Sequence, residues 1–484
     1  MLRAAIGRIA PDPMSIYQRL SAQDRSFLDL EGDETHMHVA GAFLFEKGGL
    51  STPAGGVDID RIRDYVASRL HRIPRYRQRI AWIPLENHPV WVDDDRFNIH
   101  YHVRHTALPA PGDDRQLKRF CGRVLSQQLD RGKPLWEIWV VEGLEHDRFA
   151  LVTKTHHCMV DGLSGVDLLA VLLSPTPEKE YDPAARWYPN PAPGAGELLR
   201  DALLRRLGMP LATARAALHA LRDPTAALAQ ARDLLGGLGQ SIASGLVPAA
   251  DTPLNRPIGP HRRFDWVAFD IDEVKRTKQR LGGTVNDVVL ATVSGAVSRF
   301  LAQRGIPRAR QRELDFRAFC PVSVRADHER GALGNRVSSI IASLPIAEAD
   351  PRERLARVRQ ITRDLKQSKH ALGGEVLSSV SEWTAPTLAA LAARLAFRNR
   401  LSNLVVTNVP GPQIPLYLLG ARMLESYPMV PLFERQALGV ALFSYAGGLY
   451  WGFNADWDQL PDLHDFVVAI DHSFRELCEA AAGA

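Results

Sequence analysis

Hydrophobic and polar positions change period repeatedly along this chain, and each change predicts an element. Ser21-Ala-Gln-Asp24 has the form of a helix-starting capping box, with Phe27 and Leu28 behind it. Met37 to Glu46 then reads as a strand. Ile62, Tyr65, Val66 and Leu70 recur at helical spacing over Asp60 to His71, and Pro74 stops that helix. Phe97, Ile99, Tyr101 and Val103 alternate with Asn98, His100, His102 and Arg104, the period of a half-buried strand. Arg115 to Leu129 gathers Leu117, Phe120, Cys121, Val124 and Leu125 on one helical face. Trp136–Val141 and Phe149–Thr155 are strands, and their short connection predicts antiparallel pairing. Asp161-Gly162 reads as a turn into a helix over Leu163–Leu173.

The second half repeats this mixture. Phe264–Ile271 is a strand, Asp272 is expected to cap a helix over Glu273–Leu281, and Gly282-Gly283 ends it. Thr284-Val-Asn286-Asp287 is a second capping-box form and opens a long helix to Ala302. Strands follow at Leu314–Val324, Val337–Leu344 and Leu404–Val409. Gln436–Tyr445 and Leu449–Ala455 flank Gly447-Gly448 as a hairpin. Helices span Arg352–Lys369 and Phe466–Ala481. Between the halves, Ser174 to Gly196 is broken by proline and glycine and marks a linker. Glu197 to about Ala249 is rich in alanine, leucine and arginine and reads as short amphipathic helices crossing between domains. The expected division is residues 1–190, a crossing segment 191–255, and residues 256–484.

Composition changes this picture little. A chain of 484 residues exceeds one ordinary core, and length alone suggests about three domains. A net charge of +4 gives no case for nucleic acid as partner. The four cysteines form no C-x-x-C pair and no disulfide framework, which fits a reducing compartment. The N-terminal stretch has no clean apolar core and is not expected to be a signal peptide. Gln436–Ala455 and Leu404–Ala421 lack charges, but a central glycine pair and three prolines respectively argue against membrane helices. Trp383–Phe397 is apolar, and a packed helix is preferred there to a lipid-facing one.

Candidate chemistry concentrates at one place. The strand Phe149–Thr155 ends in His156-His157, and Asp161-Gly162 follows. Adjacent strand residues point to opposite faces, so the two histidines are expected to do different jobs. A neutral imidazole can take a proton from a hydroxyl at neutral pH. Taken alone, the pair fits a structural role as well as a catalytic one. Asp161 equally fits a helix cap or an ion pair, with Arg325 as one possible partner. His36 and His38 share a strand face, but no third ligand stands at a recognisable spacing, so no metal is expected.

The pattern His156-His157-x-x-x-Asp161-Gly162 resembles the active-site motif of the CoA-dependent acyltransferase superfamily. Pro134-Leu135-Trp136, Leu20-Ser-Ala-Gln-Asp24-Arg-Ser-Phe27, Met37-His38-Val39, Asn286-Asp287, Gly334-Asn335-Arg336 and Thr407-Asn408-Val-Pro-Gly-Pro412 are similar to further motifs of the bacterial wax ester synthase/diacylglycerol acyltransferase family. Thr407 stands where serine is more usual. The resemblance runs from about Ser15 to Phe474. It implies an α/β fold with mixed sheets, in two chloramphenicol-acetyltransferase-like domains joined by a helical crossing segment. It implies acyl-CoA as a substrate rather than a bound cofactor, and diacylglycerol or a long-chain alcohol as acceptor.

His157 would be the general base, His156 supportive, and Asp161-Gly162 would shape the loop. Asn286, Thr407 and Asn408 would be candidate oxyanion donors, and Asp287 would sit beside them at a helix start. No acyl-enzyme is implied, so Cys158 is not sought as a nucleophile. A cytoplasmic protein touching a membrane or lipid droplet peripherally is expected, of undetermined oligomeric state. The competing readings are an acyltransferase acting on a polyketide or other specialised alcohol, and a lipid-binding or droplet protein without turnover.

Overall fold

The computed structural model describes residues 16–159, 168–204, 248–323, 337–371 and 400–483. Asp161, Gly162, Arg325, Gly334-Asn335-Arg336, the Trp383–Phe397 stretch and most of the crossing segment lie outside the described residues.

Fifteen strands and ten helices are named here from the described residues. The strands are β1 (Gln18–Arg19), β2 (His38–Glu46), β3 (Gln78–Ile83), β4 (His88–Asp93), β5 (Val103–Ala107), β6 (Trp136–Leu144), β7 (Arg148–His156), β8 (Arg262–Asp270), β9 (Arg317–Ser323), β10 (Val337–Ser343), β11 (Leu404–Pro410), β12 (Tyr417–Leu418), β13 (Ala421–Met429), β14 (Leu438–Tyr445) and β15 (Gly448–Asp456). The helices are α1 (Ala22–Leu30), α2 (Ile59–Arg69), α3 (Ile99–His102), α4 (Asp114–Leu125), α5 (Leu168–Leu172), α6 (Ile271–Leu281), α7 (Val285–Gln303), α8 (Arg308–Gln311), α9 (Pro351–Ala371) and α10 (Leu463–Ala482).

Two six-stranded mixed sheets organise the molecule, in the orders β12-β13-β2-β7-β6-β5 and β10-β9-β11-β14-β15-β8. In the first, β2, β7 and β6 are antiparallel neighbours, while β5 joins β6 in parallel. In the second, β11 runs parallel to both β9 and β14, and β14-β15-β8 is antiparallel. The fold is therefore α/β with mixed sheets, as the sequence implied. A small third sheet, β1-β4-β3, packs Ile83, Val90 and Val92 against Leu198 and Ala202.

The sequence halves do not map one-to-one onto the sheets. β12 and β13 come from the C-terminal half, and β13 pairs with β2 of the first sheet. Without it, the row of backbone donors and acceptors along β2 would be an open edge. The donation also fixes how the halves meet. Trp266 of β8 stacks on Tyr427 of β13 at 4.7 Å. The Tyr445 and Tyr450 hydroxyls donate to the Met423 and Leu424 carbonyls, both at 3.0 Å. One core lies around the first sheet and includes Phe264, Trp266, Tyr445 and Tyr450 of the second. The other lies between the second sheet and helices α6, α7, α9 and α10.

Helix starts follow the chemistry read from the sequence, with two corrections. Both arms of the capping box between Thr284 and Asp287 are present, and Ser21 accepts from the Asp24 backbone N–H. The cap of α6 is Asp270, not Asp272. β8 runs straight into the helix, so the last strand residue accepts from the Asp272 N–H at 2.7 Å, and Asp272 pairs with Lys275. The alternating stretch from Phe97 is not one strand. The Asn98 side chain accepts from the His100 N–H and turns Ile99–His102 into α3, leaving only Val103–Ala107 extended. The aromatic rings of that stretch wrap Trp136 instead. His102 stacks on it at 4.6 Å and on Phe97 at 5.0 Å.

Helix α7 is long and apolar enough to cross a membrane by composition. Its most apolar window is 78% buried in the second core, so here it serves as the core helix of that layer.

Candidate active site

β7 is a central strand of the first sheet, and its last residue is His156. The chain leaves it directly into a 3-10 turn, His157–Met159. His156 is buried and sits opposite His38 of β2 in the strand register. His157 is half-buried. The two histidines occupy different environments because the strand ends between them, not because it alternates through both.

Three stretches singled out in the sequence converge on this pair. Leu135, of Pro134-Leu135-Trp136, accepts the His156 backbone N–H at 2.9 Å. Met37, of Met37-His38-Val39, accepts the His157 backbone N–H at 2.7 Å. Phe27 of α1 stacks on the His157 ring, with centroids 3.9 Å apart and planes 20° apart. Trp136 itself is fully buried, and its indole N–H donates to the Tyr76 carbonyl at 2.8 Å. The spacing of these motifs along the chain therefore resolves into backbone hydrogen bonds and one ring stack.

The electrostatics separate the neighbouring groups. Burial lowers the pKa of His157 to about 4, so its imidazole is neutral at pH 7. Its Nδ1 is buried, with no hydrogen-bond partner among the described residues. The Cys158 thiol is buried and pushed well above its ordinary range, so it is held as the thiol.

Beneath the pair lies a carboxylate that the sequence reading passed over. Glu31 closes α1, and its side chain is 4% exposed. Oε2 lies 3.4 Å from His156 Nε2, and Oε1 lies 3.4 Å from His38 Nε2. Arg131 donates to the same carboxylate from Nε at 3.1 Å and Nη2 at 2.7 Å. His38 belongs to this cluster. Burial lowers its pKa to about 3, against the opposing pull of Glu31. Only helical spacing connects Glu31 to Phe27, four residues earlier, and nothing in the linear pattern marks it as buried.

A second polar group forms in the C-terminal half. Asn408 at the end of β11 donates from Nδ2 to Asn286 Oδ1 at the start of α7, at 2.7 Å. Asp287 is buried and accepts from the Thr284 and Thr362 hydroxyls at 2.8 and 2.7 Å. Asn286, Asp287, Thr362 and Asn408 line a small cleft together with Val289, Leu290, Ile340 and Val406. Val406 and Asn408 are two apart on β11 and share its helix-covered face.

Thr407 is on the opposite face of that strand. It pairs in register with Ala441, and Val409 pairs with Phe443, which packs on the first core. Thr407 therefore faces the half that carries the histidines, while its neighbour Asn408 does not. Among the described residues, no hydrogen bond, ion pair or ring contact joins the histidine pair to Asn286 or Asn408.

Comparisons with known proteins agree with this architecture. Residues 20–289 match the wax ester synthase/diacylglycerol acyltransferase catalytic domain, and residues 333–478 match the C-terminal domain of the same family. A putative diacylglycerol O-acyltransferase of Mycobacterium tuberculosis is 32% identical over 471 residues, covering 96% of this chain and 91% of the relative. A probable diacylglycerol O-acyltransferase of the same species is 32% identical over 95% of both chains. Among solved structures, the wax ester synthase/diacylglycerol acyltransferase from Marinobacter aquaeolei VT8 superposes with a TM-score of 0.70 at 27% identity, over 96% of this chain and 100% of that one. The first condensation domain of the calcium-dependent antibiotic synthetase shares the fold, with a TM-score of 0.56 at 15% identity over 97% of each chain. With two matched domains in order and relatives aligned nearly end to end, this chain belongs to the wax ester synthase/diacylglycerol acyltransferase family of acyl-CoA-dependent O-acyltransferases.

Proposed function

We propose that this protein moves a long-chain acyl group from acyl-CoA to the hydroxyl of diacylglycerol or a long-chain alcohol, with His157 as general base and no acyl-enzyme. The observation that carries the reading is the state of His157. Its ring is stacked on Phe27, it is neutral at physiological pH, and it stands half-buried where β7 ends. The acceptor hydroxyl gives its proton to Nε2 as its oxygen attacks the thioester carbonyl. The carbon–sulfur bond then breaks, and the same proton returns to the departing thiolate. A base of this kind is worth about 10²–10⁴-fold in rate, or about 3–5 kcal/mol of barrier.

Direct transfer is favoured because the adjacent thiol has no route to a thiolate. Burial holds Cys158 protonated, and its location in the core keeps substrate away from it. For the oxyanion of the tetrahedral intermediate, Thr407 is the donor that the strand geometry favours. Asn286 and Asn408 are hydrogen-bonded to each other on the far side of β11. Donors of this kind typically contribute about 10²–10³-fold. Asp161-Gly162 would shape the loop beyond the 3-10 turn. The relatives named as diacylglycerol O-acyltransferases, and the structure named as a wax ester synthase, support the two acceptor classes. Their ester products are insoluble in water, so the reading includes a cytoplasmic protein in peripheral contact with a membrane or lipid-droplet surface.

The test is release of free CoA from palmitoyl-CoA, with hexadecanol or diacylglycerol as acceptor, in wild type and His157→Ala. Acceptor-dependent release that collapses in the variant is expected, and the better acceptor ranks wax ester against triacylglycerol synthesis. Undiminished turnover by a folded His157→Ala protein would remove the base. No turnover by wild type with either acceptor would overturn the substrate assignment.

A further inference from the structure

The buried carboxylate beneath the histidine pair touches no reacting atom, yet its contacts are directed at the pair. Glu31 and Phe27 are one helical turn apart at the end of α1 and so share a face. Phe27 holds the ring of His157, and Glu31 holds the ring of His156. Two hydrogen bonds fix His156, and its Nε2, which makes none, has the Glu31 carboxylate 3.4 Å away. Its backbone N–H is taken by Leu135, and its Nδ1 accepts the Cys158 backbone N–H at 3.1 Å. An Nδ1 that accepts carries no proton, so the ring proton is on Nε2, the nitrogen that faces Glu31 at 3.4 Å. The Cys158 N–H belongs to the same 3-10 turn that carries His157. The orientation of the His156 ring and the path of that turn are thereby linked.

Glu31 is suited to the task because it stays ionised. Burial alone would raise its pKa, but contacts with His156 and His38 outweigh this and hold it well below the ordinary carboxylate range. The groups facing it are Arg131 from the loop after α4, His38 from β2, His156 from β7 and the Met37 backbone N–H. Lys154 of β7 and His36 lie within electrostatic reach. Lys154 is itself engaged by Glu137 at 2.7 Å and by the Val124 and Gln127 carbonyls.

We propose that Glu31 is a positioning residue for the acyl transfer: its carboxylate fixes the Nε2–H tautomer and ring plane of His156, and through the 3-10 turn it sets the attitude of His157. The proposal rests on the reading of His157 as base. The alternative is that Glu31 only anchors the end of α1.

The decisive variant is Glu31→Gln, which keeps shape and one acceptor but loses the charge. Loss of an orienting partner of a functional histidine typically costs about 10–100-fold. That loss is expected in kcat, with KM for palmitoyl-CoA little changed. Glu31→Asp, which keeps the charge, is expected to recover part of it. In a His156→Asn background, Glu31→Gln should cost little more, since its route is already cut.

Imidazole nitrogen NMR on histidine-labelled protein gives a readout without turnover. Wild type should show His156 as the Nε2–H tautomer, and both Glu31→Gln and Glu31→Asp should shift that signal. Full kcat in folded Glu31→Gln, additive losses in the double variant, or an unmoved His156 signal would each overturn the proposal. Should Glu31→Gln fail to fold, Glu31→Asp carries the same three readings. If instead His157→Ala keeps its turnover while the NMR shift is seen, the base assignment fails and the Glu31–His156 link stands.

Discussion

The histidine pair and the asparagine pair are both placed where a strand runs out and a helical turn begins, yet their polar groups are satisfied in different ways. At the histidines, the backbone is satisfied by Leu135 and Met37, a buried carboxylate lies 3.4 Å from one ring, and the other ring stacks on Phe27. At the asparagines, Asn408 and Asn286 bond to each other, and Asp287 is consumed by Thr284 and Thr362. The first arrangement holds two imidazole rings in place without a side-chain hydrogen bond to either ring's Nε2 among the described residues. The second spends its contacts on closing a strand end onto a helix start. Residues of equal prominence in the sequence thus divide by the contacts that hold them, and we expect the chemistry on the histidine side.

The largest test of that division compares His157→Ala with Asn408→Ala in the acceptor-dependent CoA-release assay. The histidine variant is expected to lose about 10²–10⁴-fold in kcat. The asparagine variant, whose partner lies on the helix-covered face, is expected to lose less than about tenfold, since a side-chain hydrogen bond contributes only about 0.5–1.5 kcal/mol. Equal losses would place both pairs in the chemistry. Next in size is Thr407→Val, an exchange of hydroxyl for methyl. Removing an oxyanion donor costs about 10²–10³-fold, and the loss should appear in kcat with KM for acyl-CoA unchanged. A loss at Asn408 larger than at Thr407 would reverse the face assignment drawn from the β11–β14 register.

Asp287 should break differently. It closes a capping box and is buried against Thr362. Asp287→Ala leaves those donors unpaired, at a cost of about 1–3 kcal/mol. Denaturant unfolding should record that loss of stability, while turnover per folded molecule stays within a few-fold of wild type. A stable Asp287→Ala protein without turnover would move Asp287 from architecture to chemistry.

How much of this was legible in the sequence differs between the two regions. Period and capping signals located the β6–β7 pair, the β14–β15 hairpin and both arms of the Thr284–Asp287 box, because those elements are set by neighbours in the chain. The histidine pair was legible as a motif. What supports it was not. Glu31 is an acidic residue at a helix end, indistinguishable in the chain from a solvated one, and it becomes a buried carboxylate only when β2, β7 and the loop after α4 close over it. The donation of β13 to β2 was equally invisible, since 378 or more residues separate the partners. The alternation from Phe97 misled because the Asn98 cap starts a short helix there, which buries His102, a polar-face position of the expected strand, against Trp136.

The smallest expected effect at neutral pH is the most informative about how burial tunes the base. Phe27 covers one face of the His157 ring, and burial is the leading cause of that ring's pKa of about 4. Phe27→Ala admits water to the ring and should raise this pKa toward the ordinary value of about 6.5. At pH 8 both proteins hold a neutral imidazole, so kcat should differ only a few-fold, in keeping with an aromatic contact worth about 0.5–1.5 kcal/mol. Between pH 7 and 5 the curves should part. Wild-type kcat stays level because its base is still unprotonated, whereas the variant falls as its imidazole charges. The linked stability has the matching sign. A histidine with a depressed folded pKa contributes stability that is full above about pH 6.5 and is lost as pH falls toward 4. Phe27→Ala should therefore flatten the acid dependence of the unfolding midpoint in that window, while lowering the midpoint itself at every pH. Superimposable pH–kcat profiles for the two proteins would mean that burial by α1 does not set the base, and that the pKa of His157 is governed from the substrate side of the ring.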